Sequence, residues 1–465
     1  MKMLAKNSFI ALGLLLAALL WCVMTSQGCS SAATWTAAVT VLCAVWWTTE
    51  AIPLPATALV PFAVLPFAGV ISHQHAAAAY GDTLILLMLA GSIVATGLEK
   101  SDAHRQVAML MVRLLGGAEA RRLVLSFLVT SALLSMWLSN TATAVLLLPV
   151  AMALINASPD KKFAAPLLLA IAYGASVGGT ATPIGTPPNL IMIKLYVDSG
   201  GHTIGFAEWM RVGVPIMLLM LPAVWLLLIR GVHGESTWQL PPREPWTTHQ
   251  RRTLAVFAIT ALAWLTRTEP FGGWGNLLGV ANHVGDSSVA LLAAVVMFIC
   301  PSGAKDGSRL LDWKAAESIP WGVFIMIGGG LAIGAAFESS KLDDQLAGVF
   351  AHVGVLPALV LVVGVCLIST FVTEITSNTA VASVLLPIII GVSQAAKIDP
   401  LLLLFPATFG LNWSFMLPVG TAPNAIVYGT GYVSTRQMMR HGFVLNLIGT
   451  AIISLVCWLS LNRSS

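Results

Sequence analysis

Charge is what this 465-residue sequence has least of: Asp, Glu, Lys and Arg together make up 9% of it, against roughly 25% in soluble domains. So few charges cannot cover a water-exposed surface, while hydrophobic residues reach 57%. The alternation of apolar and polar positions that marks a membrane barrel is missing as well. Phe9–Met24, Val353–Val372 and Leu401–Leu417 are long apolar runs instead. The bilayer is therefore the solvent for most of the chain, and the fold class expected is an all-α polytopic membrane protein. A spanning helix takes about 20 apolar residues, so the length allows roughly ten to twelve crossings.

Other absences narrow the chemistry. The six cysteines (Cys22, Cys29, Cys43, Cys300, Cys366, Cys457) are scattered with no CxxC spacing, and read as small apolar fillers. The nine histidines include no HExxH pattern, so a bound metal centre has no support. No Walker motif occurs, which leaves ATP drive within this chain unsupported. Gly174-Ala175-Ser176-Val177-Gly178 matches the GxSxG pattern of hydrolases literally. That pattern needs a strand-to-helix elbow and His and acid partners, whereas here it lies in an apolar helix, where small residues serve close helix contact. A membrane protease using Ser176 is the reading left last. Gly328-Gly329-Gly330 lacks nucleotide-binding spacing and suits tight packing in the same way.

The charges that are present sit at helix ends, with a net of +4. Under the positive-inside bias, Lys2 and Lys6, the arm Lys100–Arg122 and the connector Arg243–Arg252 are expected on the cytoplasmic side. The first apolar run has no convincing cleavage site after it, and is expected to stay as a helix.

The chain also says something twice. Ser139-Asn140-Thr141-Ala142, followed by Val145-Leu146-Leu147-Leu148-Pro149, returns in the second half as Ser377-Asn378-Thr379-Ala380 and Val384-Leu385-Leu386-Pro387. Ile184-Gly185-Thr186-Pro187-Pro188-Asn189 returns, after almost the same interval, as Val419-Gly420-Thr421-Ala422-Pro423-Asn424. Two distinct motifs at nearly one offset indicate duplication. The domains expected are an N-terminal helix over 1–34, a first repeat over 35–230, a connector over 231–252 and a second repeat over 253–465. Whether the repeats are inverted depends on the parity of spans between them, which hydropathy leaves open.

Each motif interrupts an apolar run. Ser, Asn and Thr compete for backbone hydrogen bonds, and Gly-Thr-Pro-Pro-Asn removes two N–H donors. Irregular backbone at membrane depth survives only where protein buries it or it lines a watery cavity. Four discontinuities, two per repeat, therefore predict broken helices or re-entrant hairpins around a transport site. Their freed carbonyls suit a hard cation and their freed N–H groups an anion. No Arg or Lys lies within the four motifs, so a bound dianion needs other neutralisation. Sodium held by Ser139, Asn140, Asn378 and carbonyls would supply it and couple the two fluxes. Glu374 could support a cation or carry a proton; more often such a carboxylate anchors its hairpin by pairing with a basic residue. Glu50, beside Pro53 and Pro55, reads as architectural.

With these residues in view, the chain resembles the divalent anion:sodium symporter family. The resemblance spans nearly the whole length and rests on Trp46–Pro53, Ser135–Thr141, Ile184–Asn189, Trp321–Gly330, Thr373–Thr379 and Leu417–Asn424. It implies an inverted internal repeat, about eleven transmembrane helices with two re-entrant hairpins, and a homodimer whose scaffold holds an elevator-type transport domain. It further implies a first sodium site at Ser135, Ser139, Asn140 and Gly185, and a second at Thr373, Thr376, Asn378 and Gly420. Substrate would meet Asn140, Thr141, Thr186, Ser377, Asn378, Thr379 and Thr421. Ala422 stands where many relatives have proline. The function implied is sodium-coupled uptake of C4-dicarboxylates or related di/tricarboxylates across a bacterial cytoplasmic membrane. A sodium-independent exchanger and a sulfate or anion symporter are the alternatives.

Overall fold

The apolar runs fold into helices. In a computed structural model of the chain, describing residues 2–115, 119–158, 161–232, 244–268, 272–342 and 356–461, no β-strand occurs among those residues, and an isolated bridge joins Pro301 to Arg309. Among the same residues nine helices are long and apolar enough to cross a membrane, and four shorter apolar ones accompany them. The duplication seen in the sequence is also a duplication of breaks. Helix Ala120–Ser135 stops, a short tip follows, and Asn140–Ala157 begins; Ala358–Val372 runs into a short 3-10 turn Thr373–Ile375 before Asn378–Ala396. In each repeat the two arms pack on one another, the layout expected of the two hairpins.

The second kind of break is longer than the motifs imply. Helix Ala164–Gly179 ends before Thr180, and helical backbone resumes only at Pro187–Asp198. Its partner Pro400–Asn412 ends before Trp413 and resumes at Ala422–Tyr428. The apolar run Leu401–Leu417 is thus not one helix. Proline explains the restart, since its fixed φ and missing N–H suit the first helical positions. The stop comes earlier, at Gly179 and Asn412.

The two repeats interlock. Pro187–Asp198 of the first packs against Asn378–Ala396 of the second, and Ala422–Tyr428 of the second packs against Asn140–Ala157 of the first. Small residues make this possible. A side-chain carbon at Gly174 would lie 2.6 Å from Leu128 O, and one at Gly178 would lie 2.0 Å from Ala132 O. The GxSxG segment is therefore a packing seam against Ala120–Ser135. Ser176 is fully buried and its hydroxyl has no hydrogen-bond partner, so no base is poised to activate it.

Around this interlocked unit, Ser31–Thr49, Leu54–Thr57, Leu59–Phe67 and Trp321–Ser340 share a separate apolar core built on Trp47, Leu65, Ile333 and Phe337. The first helix, Lys2–Ser26, lies on Ser31–Thr49, with the Trp46 indole donating to Ile10 O at 3.3 Å. Glu50 closes Ser31–Thr49 in left-handed backbone, the architectural part expected of it. At one end of the molecule, Lys100 pairs with Asp312 at 2.6 Å, His249 reaches Leu310 O and Arg252 donates to Pro301 O. The basic ends of two helices thus share one face. Of the connector 231–252, residues 233–243 lie outside those described, as do 353–355 at the start of the apolar run that ends at Val372.

Candidate functional site

Each half of the site begins with an asparagine at the first position of a helix. Ser139 has extended backbone and caps Asn140–Ala157, its hydroxyl accepting from Ala142 N at 3.2 Å. Asn140 Oδ1 turns back to accept from Ser135 Oγ at 2.6 Å. In the second repeat Asn378 Oδ1 accepts from Thr373 Oγ1 at 2.6 Å. One lock recurs in both repeats, made by serine in the first copy and by threonine in the second.

The second motif repeats as faithfully. Asn189 Nδ2 donates to Gly179 O at 3.1 Å and Thr182 O at 2.8 Å, closing the irregular loop on itself. Asn424 Nδ2 donates to Ser414 O at 2.8 Å and Leu417 O at 3.0 Å, and donor and acceptors are all shifted along the chain by one common offset. A proline-broken helix leaves carbonyls without their ladder donors, and the asparagine amides satisfy two of them in each loop. Gly185 and Gly420 are required by closeness: an added carbon would lie 2.3 Å from Gly179 O and 2.8 Å from Ser414 Cβ respectively.

These contacts bring Ser135, Asn140, Gly185 and Thr186 together around Gly179, where an added carbon would be 2.7 Å from both Asn140 Oδ1 and Thr186 Cγ2. They likewise gather Thr373, Asn378 and Gly420 around Ser414, whose hydroxyl is 3.0 Å from Thr373 O and 3.4 Å from Asn378 Oδ1. Thr373 Oγ1 also lies 3.0 Å from Leu411 O. Two hydroxyl protons here face three oxygen acceptors, and surplus lone pairs of this kind are what a hard cation takes up. Thr376 is buried and its hydroxyl has no partner. Thr379 is buried, Ser377 and Thr421 are half-buried, and Ser139 and Thr141 are exposed. Unlike Ser139, the Ser377 hydroxyl makes no capping bond.

The expectation that Glu374 pairs with a basic residue is overturned. This carboxylate is 3% exposed, and its oxygens accept from the backbone N–H groups of Phe415, Met416 and Leu417 and from Asn446 Nδ2 at 2.7 Å. It anchors the loop after Asn412 to the hairpin through N–H donors that the non-helical backbone there leaves to be satisfied. Among the described residues no ion pair reaches any of the four motifs, and no group of three or more His, Cys, Asp or Glu residues is placed to hold a metal.

The citrate transporter family (CitMHS) matches residues 44–410 and again 360–465. The chain belongs to the citrate transporter family. It is 35% identical over 444 residues to the sodium-dependent dicarboxylate transporter SdcS of Staphylococcus aureus, in strains NCTC 8325 and COL among others; the match covers 90% of this chain and 84% of that protein. Its fold is similar to the Alcanivorax borkumensis YdaH transporter (TM-score 0.63, 16% identity, 91% of this chain and 98% of that one). It is also similar to Neisseria gonorrhoeae MtrF (TM-score 0.58, 13% identity, 83% of each). The resemblance to divalent anion:sodium symporters holds, and this citrate transporter family member is a multi-pass membrane protein.

Several residues of this family member gain a role only in the structure. Asn189 and Asn424 stand in both copies of the repeated motif, so their shared offset could have marked them. Asn412, which bridges the two repeats, has Val177 at the equivalent first-repeat position, and repetition gives no hint of it. Gly179, Ser414 and Asn446 lie in stretches that read as plain helix.

Proposed function

We propose that this protein couples inward sodium flux to the uptake of C4-dicarboxylates such as succinate, malate and fumarate, or of related di/tricarboxylates. The observation that carries the reading is the pair of equivalent locks, Ser135 to Asn140 and Thr373 to Asn378, each a cluster of oxygens at a helix start with no charged partner. One sodium site is assigned to Ser135, Ser139, Asn140 and Gly185, the other to Thr373, Thr376, Asn378 and Gly420. The substrate meets Asn140, Thr141 and Thr186 on one side, and Ser377, Asn378, Thr379 and Thr421 on the other. The cations and the N-terminal ends of Asn140–Ala157, Pro187–Asp198 and Asn378–Ala396, worth roughly +0.5 charge each, neutralise the dianion.

The name of the staphylococcal relative, a sodium-dependent dicarboxylate transporter, supports sodium coupling and a dicarboxylate substrate. A homodimer is assigned with this function, and for the motion an elevator-type slide fits the contacts of Trp321–Ser340. Its glycines approach the interlocked unit so closely that an added carbon at Gly330 would be 2.2 Å from Ser383 Oγ, and one at Gly334 would be 2.3 Å from Leu195 Cδ2. A face without side chains lets one body slide on another. The membrane assigned is the bacterial cytoplasmic one.

Labelled succinate uptake into proteoliposomes, with an inward sodium gradient against a matched potassium gradient, tests the reading. Uptake is expected with sodium alone, and Asn140→Ala and Asn378→Ala are each expected to cut it at least tenfold, since a bond to a charged ligand is worth about 1.5–3 kcal/mol. Uptake indifferent to sodium, or dependent on internal carboxylate, would sink it in favour of exchange.

A further inference from the structure

We propose that Asn412 fixes the Thr186 hydroxyl as a hydrogen-bond acceptor and so makes the site prefer dicarboxylates that carry a hydroxyl group next to a carboxylate; this rests on the assignment of Thr186 to the substrate. The proton of Thr186 can be followed along a chain of forced choices. Gly179 O and Thr182 O can only accept, so Asn189 must turn its NH2 toward them. Its Oδ1 then faces Asn412, and Asn412 must present its own NH2 there, at 2.7 Å. Asn412 Oδ1 is left facing Thr186 Oγ1 at 2.8 Å, and two oxygens at that distance need a proton between them. It is the threonine's. All three side chains are at most 4% exposed, so water does not relax these choices.

The second repeat lacks the device. Where Asn412 would have its counterpart stands Val177, and Asn424 Oδ1, the equivalent of the atom Asn412 binds, is buried with no partner. Thr421 Oγ1 accepts weakly from Asn424 N at 3.4 Å, and its proton is not committed to a protein acceptor. Thr421 can therefore donate to a carboxylate oxygen, while Thr186 offers only lone pairs on its substrate side. A bare carboxylate opposite Thr186 meets lone pairs with lone pairs. A 2-hydroxy acid can turn its O–H toward Thr186 and complete the bond. Asn412 is a positioning residue in this scheme, acting through Thr186.

The test is the ratio of KM values for malate and succinate in proteoliposomes at saturating sodium, for wild type, Asn412→Val, Thr186→Val and the double variant. The wild type is expected to favour malate. Asn412→Val, which copies Val177, is expected to lower that preference roughly three- to tenfold, the worth of one neutral hydrogen bond. Thr186→Val is expected to do the same, and the double variant to go no further than Thr186→Val alone. Equal changes in both KM values, or a change confined to sodium half-saturation, would overturn the proposal. Should Asn412→Val fail to reach the membrane, an unchanged ratio in Thr186→Val overturns it equally. Absence of sodium-driven uptake in the wild type fells the proposed function itself, whereas normal uptake with an unmoved ratio fells only the role of Asn412.

Discussion

The two repeats of this protein share a lock and differ in the clasp that holds it. Both fold an asparagine side chain back onto a hydroxyl five residues earlier, and both close the following loop with a second asparagine amide. Position 136 is Met in the first repeat; its backbone carbonyl accepts the Thr182 hydroxyl. The equivalent position in the second repeat is Glu374, and its carboxylate gathers three backbone N–H groups and Asn446. The elements proposed to meet a ligand differ little between the copies. The elements behind them have been rebuilt, neutral in one half and anionic in the other, because any group that satisfies the broken backbone serves there.

The sharpest way to break the comparison is to put the second repeat's loop residue into the first. Ser414 stands where the first repeat has Gly179, and its hydroxyl joins the second lock. Gly179→Ser would instead place a carbon 2.7 Å from Asn140 Oδ1 and from Thr186 Cγ2. Both neighbours are held by hydrogen bonds, so neither gives way without breaking one. Sodium-driven uptake is expected to fall to background, the largest effect of any change named here, while the protein still reaches the membrane. Uptake within threefold of wild type would show that the first half-site is not assembled around Gly179.

Glu374→Gln comes next. The amide keeps the shape but turns an NH2 toward backbone N–H donors, so at least one bond to a charged oxygen is lost and a donor is left facing a donor. That costs about 3 kcal/mol. Because the clasp holds the loop carrying Gly420 and not the substrate itself, sodium half-saturation is expected to rise more than tenfold. The KM for dicarboxylate at saturating sodium is expected to move much less. A shift in the dicarboxylate KM alone would instead place Glu374 against substrate.

The difference between lock and clasp also decides how much can be read from the sequence. Asn140, Thr186, Asn378 and Thr421 are legible because duplication prints them twice at a nearly fixed offset, and apolar surroundings make each interruption conspicuous. The helical membrane fold follows from the shortage of charge. Glu374 is legible as a buried carboxylate but its partners are not, since backbone N–H groups leave no mark in a residue pattern. Asn412 and Asn446 are hidden for a related reason: each lies in a largely apolar helix, without an asparagine at the equivalent repeat position to expose it. The breaks after Gly179 and Asn412 come earlier than the motifs suggest, because proline marks where a helix can restart and says nothing about where the previous one stops.

The smallest expected effects concern the two hairpin tips. Trp137, in the first tip, stacks on Phe206 at 6.1 Å and on Trp264 at 6.4 Å, and meets Phe257 edge-on at 5.4 Å. Its equivalent in the second tip is Ile375, 61% exposed. Apolar burial alone stabilises little where lipid is the competing surroundings, so the worth of Trp137 lies in its ring contacts. Such pairs contribute about 0.5–1.5 kcal/mol each. Trp137→Ala is therefore expected to cost about 2 kcal/mol and to lower the thermal midpoint of the purified protein by a few degrees. Ile375→Ala, with no packing to lose, is expected to stay within about 0.5 kcal/mol of wild type. The pair also reports on the proposed motion. If the interlocked unit slides against the helix carrying Phe257 and Trp264, a cysteine at 137 becomes reactive to a water-soluble thiol reagent only while the unit turns over, on a background lacking the native cysteines. A cysteine at 375 should react in either condition. Low reactivity at 137 that does not change with turnover would mean that the aromatic contact is fixed, and that the first tip does not part from its surroundings during transport.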